Sequence, residues 1–404
     1  MLPNLLIKNF RMLADFKVEK LGAVNLIIGK NNCGKSSLLE ALLIYATRGN
    51  PRVLMEIAAS HDESAAIILG SDDDSSQNEP LPFIDFFYGR QFPAQEEIGE
   101  IYIGDRDEKS FVAIDHIWIK TTEEMLESSP TVKRSVVNVK QILKQDLTTE
   151  DMLAEQALKV TINESRHRGL IPLIETQDYA TYQENTNFWR RIAKETPYSF
   201  VPTQFVSMDD LAKLWDRITA TPEEAQMNAA LKIIDDNFQQ LSFVKPRVNP
   251  NRIGPKFDLE HLLVRPRSDR IAVVKLKTSS RRLPLSSMGD GMLRTLQLVL
   301  ALFRAKNGIL LIDEFENGLH WHVQEKIWQM IFKLAREMNI QVFATTHSDD
   351  TIKAFSSVAQ VSGNDGILLK LVRRPEPDGR DKIIAVTFES ETLNTAVLTE
   401  TEIR

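Results

Sequence analysis

Apolar residues along this 404-residue chain fall into three kinds of run. The first is short and nearly continuous: VNLII at 24–28, ILLI at 309–312 and the strand at 341–345, which runs into polar residues in VFATTHS at 342–348. Such runs, bounded by polar or glycine-rich sequence, predict strands buried on both faces. The second has helical spacing. Leu38, Leu39, Leu42, Leu43 and Tyr45 follow Lys35 and stop at Gly49-Asn50-Pro51. Met292, Leu296, Val299 and Leu300 predict a helix over 292–306 closed by Gly308, and Val323, Ile327, Met330, Ile331 and Leu334 predict another over 321–337. The third alternates, as in IGEIYIGD and FVAIDHIWIK across 98–119, which predicts an antiparallel hairpin. Shorter strands are expected at 5–10, 13–18, 257–264 and 271–277. Apolar strands in alternation with helices argue for an α/β fold whose parallel sheet is covered on both sides.

Between 120 and 242 the pattern reads as mainly helical. Met208, Leu211, Leu214, Trp215 and Ile218 form one stripe behind a candidate N-cap, Ser207. Thr221, Pro222 and Glu224 fit a capping box, and YSFVPTQFV at 198–206 reads as a strand. The acidic stretch SDDDSSQNEP at 71–80 reads as a solvated mobile loop, since calcium-loop spacing is absent. The expected organisation is an N-terminal lobe over 1–119, a mainly helical insertion over 120–242 and a C-terminal lobe over 243–404.

Charge and cysteine content narrow the classes. The net charge of −7, from 49 basic and 56 acidic residues, disfavours sequence-blind coating of nucleic acid, though it leaves room for a local basic groove. No apolar run approaches the roughly 20 residues of a membrane helix. The N-terminus MLPNLLIKNFRMLADF lacks the layout of a signal peptide, and a single cysteine suits a reducing compartment, so a cytoplasmic location without membrane attachment is expected.

The chemistry concentrates where apolar strands run into polar turns. GKNNCGKS at 29–36 satisfies G-x-x-x-x-G-K-[ST] between a predicted strand and a predicted helix. Gly29, Asn31, Asn32, Cys33, Gly34, Lys35, Ser36 and Ser37 would form a backbone cradle for phosphates at a helix start. Lys35 would reach the β- and γ-phosphates, and Ser36 would ligate Mg²⁺. ILLIDE ends a buried strand in Asp313, a second Mg²⁺ group, and Glu314, which would polarise the attacking water. His347, after the strand at 341–345, is a candidate γ-phosphate sensor. SSMGDG at 286–291 opens the 292–306 helix and offers a second anion-binding start, which a single chain with residues 29–36 does not need.

These motifs resemble those of ABC-type ATPases, whose subunits dimerise head to tail so that a signature turn of one covers the triphosphate held by the other. Ser287, Gly289, Asp290 and Gly291 match that turn, and ENGLH at 316–320 matches the D-loop. More narrowly, IKNFR, GKNNCGKSSLLEAL, FFYGR, LSSMGDGMLR, LLIDEFENGLH and TTHS resemble the OLD-like ATPases, relatives of SMC, RecF and RecN proteins. The resemblance implies an ABC-type P-loop NTPase with a parallel core sheet, an antiparallel β subdomain and a helical insertion. It also implies ATP and Mg²⁺ as cofactors, a homodimer or higher oligomer formed through the ATP interface, and a separate effector such as a Toprim or HNH nuclease or a toxin in anti-phage defence. The turn is not the transporter form LSGGQ. Only 57 residues follow His347, too few for a Toprim domain, so no nuclease activity is expected of this chain.

Other features stay open. Cys33 reads either as a redox switch or as a small buried side chain. The histidines show no zinc spacing. Basic groups at 265–270, 279–284 and 371–380 would either line a DNA groove, as in a RecF-like repair clamp, or be solvated hairpin ends. A third alternative is an ATP-binding scaffold with little turnover. Gln91 is the candidate for the ABC glutamine loop.

Overall fold

The computed structural model describes residues 1–61, 83–93, 99–129, 132–142, 155–162, 167–173, 197–203, 206–232, 235–245, 270–363, 365–376 and 381–390. The predicted loop at 71–80 and strand at 257–264 lie outside them. Strands β1 (Leu5–Phe10), β2 (Leu13–Val18) and β3 (Val24–Ile28) lead into helices α1 (Lys35–Ala46) and α2 (Pro51–Ser60). There follow β4 (Ile101–Gly104), β5 (Phe111–Ser129), β6 (Val132–Ile142), β7 (Glu155–Ile162), β8 (His167–Pro172), β9 (Tyr198–Val201), α3 (Met208–Ile218) and α4 (Pro222–Lys232). The described chain closes with β10 (Phe238–Val244), β11 (Ile271–Leu276), β12 (Leu283–Pro284), α5 (Asp290–Arg304), β13 (Ile309–Ile312), α6 (Trp321–Glu337), β14 (Gln341–Thr345), α7 (Asp349–Val361), β15 (Gly366–Pro375) and β16 (Asp381–Glu389).

The core sheet has the order β16-β15-β3-β14-β13-β9, and every pairing in it is parallel except β15 with β16. Its central strands alternate between two apolar cores, which is why they read as continuous apolar runs. Leu26, Leu310, Ile312 and Ala344 pack with α3 to α7, whereas Ile27, Leu311 and Phe343 pack with α1, α2 and the antiparallel sheet. That second sheet runs β2-β1-β4-β5-β7-β8, with β6 paired to the far half of β5. A three-stranded ribbon, β10-β11-β12, feeds the turn ahead of α5.

Residues 120–242 depart from the expected helical insertion. Among the described residues, β5 runs unbroken across 119–120, and β6, β7 and β8 continue the antiparallel sheet. The Glu- and Lys-rich stretches of this region carry helix propensity, but the cross-strand ladder decides their conformation. The strand at 198–201 is no part of an insertion either: it is the edge of the core sheet, paired in parallel with β13. Among the described residues of this stretch, only α3 and α4 are helical as expected, with Ser207 capping α3 by accepting from the Asp210 amide. The capping box ahead of α4 is displaced, since Glu224 accepts from Ala220 N and the Thr221 hydroxyl donates to Ile218 O. Strand β10 also crosses the 242–243 boundary.

One aromatic stack fixes the end of β13. Phe315, two residues beyond Asp313, lies on Trp328 of α6 with ring centroids 4.0 Å apart and planes at 15°. Both side chains are fully buried, and Phe355 of α7 meets the Trp328 edge at 5.1 Å. Trp328→Ala is expected to lower the unfolding free energy by about 3–5 kcal/mol, measured by urea titration, with the loss visible in the unfolding midpoint.

Candidate functional site

The turn from β3 to α1 has the conformation that only its own residues tolerate. Gly29 (φ 151°) and Gly34 (φ 90°) both lie where a Cβ is unfavourable. A Cβ on Gly29 would come within 2.5 Å of Cys33 Sγ and 2.7 Å of the Leu371 carbonyl. Cys33 is buried against that glycine and burial raises its thiol pKa, so the small-buried-side-chain reading fits it better than a redox switch. Asn31 and Asn32 are exposed, with Asn32 left-handed at φ 60°. Helix α1 begins at Gly34 without a side-chain cap, which leaves its first amides available to an anion.

Lys35 is buried and its Nζ donates to Gly29 O at 2.7 Å and Lys30 O at 3.0 Å, curling back over the loop it belongs to. Burial holds its pKa below the usual lysine value, and the charges of Cys33, Asp313, Glu314 and Glu316 oppose that shift. An ammonium buried beside backbone carbonyls and facing carboxylates suits the phosphates of a nucleotide. Ser36 is exposed and Ser37 half-buried. The Ser36 hydroxyl and the Asp313 carboxylate are the hard oxygen donors that Mg²⁺ prefers.

At the end of β13 each group is fixed by a partner from another strand. Thr345, last in β14, donates its hydroxyl to Asp313 Oδ1 at 2.8 Å and accepts from the Glu314 amide at 2.9 Å. Thr203, just past β9, donates to Asp313 Oδ2 at 2.8 Å. Glu314 is left-handed at φ 45°, a conformation that costs a non-glycine residue on the order of 1–3 kcal/mol. Arg294 stabilises it from beneath. This fully buried guanidinium donates to Pro202 O at 2.7 Å, Asp313 O at 2.8 Å and Glu314 O at 3.0 Å. Burial pushes its pKa down to about 10, with Asp313, Glu316 and Glu314 opposing, so it stays charged at neutral pH. Among the described residues no hydrogen bond holds the Glu314 carboxylate, which leaves it open to a water. His347 follows β14 with an exposed side chain, its amide donating to Glu316 Oε1 at 2.7 Å.

The signature residues stand elsewhere. Ser287, Gly289 and Asp290 are exposed, and Gly289 (φ 87°, ψ 166°) starts α5 without a side-chain cap. The Ser287 hydroxyl donates to Pro284 O at 2.6 Å. A Cβ on Gly291 would meet the Gly318 carbonyl at 3.3 Å, so this turn lies against the 316–320 loop. Among the described residues no hydrogen bond or ion pair joins 287–291 to 29–37. The structure therefore brings Lys35, Asp313, Glu314 and His347 to the ends of adjacent strands and leaves the signature turn outward-facing. The sequence reading missed Thr203, Arg294, Thr345 and Glu316. The one signal for Arg294 was a charged side chain within the mainly apolar stretch 292–303. Gln91 is exposed beside Gly89, and the contact to Asp313 from a neighbouring segment comes from Thr203 instead.

A phosphate loop and an Asp-Glu pair at the ends of nearby strands of one parallel sheet define a P-loop ATPase. The family described as "AAA domain, putative AbiEii toxin, Type IV TA system" matches residues 24–352, and the chain belongs to it. It is 24% identical over 368 residues to an ATP/GTP phosphatase of Helicobacter pylori, covering 89% of this chain and 88% of that protein. It is also 52% identical over 44 residues to a DNA double-strand break repair Rad50 ATPase of Archaeoglobus fulgidus, which is 11% of this chain and 5% of that protein. Among solved structures it is similar to an SMC head bound to the C-winged helix domain of ScpA, with TM-score 0.46, 10% identity, and 96% and 98% of the two chains covered. No helix among the described residues is long and apolar enough to cross a membrane.

Thr345→Val keeps the shape of the side chain and removes both of its hydrogen bonds to the Asp-Glu pair. Its kcat for ATP is expected to fall about 10–100-fold, while Thr345→Ser retains most of it, as measured by steady-state phosphate release.

Proposed function

We propose that two copies of this chain close head to tail around two ATP·Mg²⁺, and that closure and hydrolysis control a separate effector protein. The observation that carries the reading is the signature turn: a 15-residue helix, α5, starts with uncapped amides on an exposed glycine, away from its own phosphate loop and beside the 316–320 loop. An open helix N-terminus favours an anion, and among the described residues the helix start carries only the exposed Asp290 of its own first turn.

In the closed pair, residues 29–37 cradle the phosphates and Lys35 neutralises the β- and γ-oxygens. Ser36 and Asp313 would hold Mg²⁺, which when bound would supply positive charge to offset that of the triphosphate. Glu314 orients and polarises the attacking water, and His347 donates to the γ-phosphate. Ser287, Gly289, Asp290 and Gly291 of the other copy cover that phosphate. Groups supplied in trans to a phosphoryl centre can be worth roughly 10³–10⁵ in rate. Driving the pair from 1:99 to 99:1 closed requires about 5.5 kcal/mol of differential binding, a size that a triphosphate gripped from both sides can supply. The name of the Helicobacter pylori relative supports triphosphate hydrolysis and makes GTP the competing substrate to assay. The effector proposed is a nuclease or toxin in anti-phage defence, in a cytoplasmic setting.

The DNA-binding alternative rests on fewer groups than the sequence offered. Arg270 is committed to Asp216 through a two-pronged ion pair, while Arg281 and Arg282 are exposed. Arg265 and Arg267 lie outside the described residues. DNA-stimulated turnover that weakens when Arg281 and Arg282 are neutralised would favour that alternative.

Lys35→Ala is expected to abolish nucleotide binding, and Glu314→Gln to bind ATP and accumulate as a dimer seen by light scattering. Ser287→Arg should bind ATP as a monomer. A mixture of Lys35→Ala and Ser287→Arg chains should regain at most one working site per pair. Normal hydrolysis by monomeric Ser287→Arg overturns the shared-site reading.

A further inference from the structure

Three carboxylates fall within four residues at the end of β13: Asp313, Glu314 and Glu316. The first two have partners or openness that suit metal binding and water activation. Glu316 has neither, because both its oxygens are spent within the fold. Oε1 accepts the His347 amide at 2.7 Å, and Oε2 accepts the Thr346 hydroxyl at 2.7 Å. That hydroxyl in turn accepts the Ser348 amide at 3.0 Å, and Ser348 caps α7 by accepting from Thr351 N. One carboxylate thus reaches both amides that flank the His347 α-carbon, one directly and one through a hydroxyl. Thr346 is buried at 1% exposure, whereas the His347 side chain is exposed. The result is an imidazole free to meet a ligand on a peptide segment that is not free to move. Charge-assisted bonds of this kind are about twice as strong as neutral ones.

We infer that Glu316 is a positioning residue for ATP hydrolysis: it sets the direction in which His347 meets the γ-phosphate. It also belongs to the 316–320 loop, whose Gly318 carbonyl lies against Gly291 of the signature turn. A shift of that turn is therefore passed through Glu316 to His347. The inference rests on the reading of His347 as the γ-phosphate sensor.

The test is a double-mutant cycle on steady-state ATPase, with nucleotide affinity measured by a fluorescent ATP analogue. Glu316→Gln keeps an acceptor for the His347 amide and turns an NH₂ toward the Thr346 hydroxyl, which is already an acceptor for Ser348. It is expected to lower kcat about 10-fold and Glu316→Ala about 100-fold, with KM and nucleotide affinity unchanged. In a His347→Ala background, Glu316→Gln should cost nothing more, because its effect runs through the imidazole. Losses that multiply, a wild-type kcat for Glu316→Gln, or a rise in KM alone overturn the inference while leaving an impaired His347→Ala, and hence the sensor reading, intact. A wild-type kcat for His347→Ala sinks the sensor reading and the positioning role with it. The Gln variant carries the cycle if the Ala variant does not fold.

Discussion

A single hydroxyl ties together the Asp-Glu pair of the candidate site. Thr345 Oγ1 donates to the Asp313 carboxylate and accepts from the Glu314 amide, so the groups at the end of β13 are placed by the last residue of β14. The arrangement depends on strand register. Ile309 pairs with Gln341 and Ile312 with Ala344, which brings Thr345 level with Asp313. A slip of one residue would turn Thr345 to the opposite core and put Ala344 in its place. Backbone bonds at the two ends of the pairing, from the Gln341 amide to Gly308 O at 2.9 Å and from the Phe315 amide to Thr345 O at 2.9 Å, hold the register.

The strained backbone of Glu314 is maintained by interactions on three sides. Thr345 holds its amide, Arg294 its carbonyl, and the stack of Phe315 on Trp328 anchors the residue that follows. Any one of these is worth on the order of 1 kcal/mol or a little more, comparable with the cost of the left-handed conformation. Together they exceed it. Arg294 has a second consequence, because it sits one turn into α5, the helix that begins with the signature turn. Movement of that helix pulls directly on the carbonyls of Asp313 and Glu314. The helix that begins at the 287–291 turn and the Asp313-Glu314 pair are joined by one buried side chain, within one chain.

What could be read in the sequence was whatever is local. The phosphate loop is eight contiguous residues between a strand and a helix, and its glycines are required by its own dihedral angles. The buried strands and the helices at 290–304 and 321–337 announced themselves by periodicity. The groups that hold the centre were not local. Thr203 lies 110 residues from its partner Asp313, and Glu316 30 residues from Thr346. A threonine or glutamate carries no pattern that names such a partner. The same blindness turned the strands of 120–172 into an expected helical insertion, since their glutamates and lysines favour helix until a neighbouring strand supplies the ladder. The strand read at 198–206 is present as β9, but its place at the edge of the core sheet, beside β13, had no signal in the sequence.

The acidic run DEFE shows how partners, more than residue type, divide the work. Asp313 accepts from two hydroxyls, neutral donors that fix its orientation and leave its charge for a cation. Glu316 accepts from an amide and a hydroxyl and is fully occupied in structure. Among the described residues Glu314 keeps its carboxylate unengaged, and its left-handed backbone breaks the strand so that it need not alternate with its neighbours. The three also share one electrostatic field with Lys35 and Arg294, two cations whose burial lowers their pKa and whose charge the carboxylates restore. Adding a triphosphate to that field brings further negative charge toward Asp313 and Glu314. A cation between them would offset that charge, so under the proposed function nucleotide binding should depend on a metal ion.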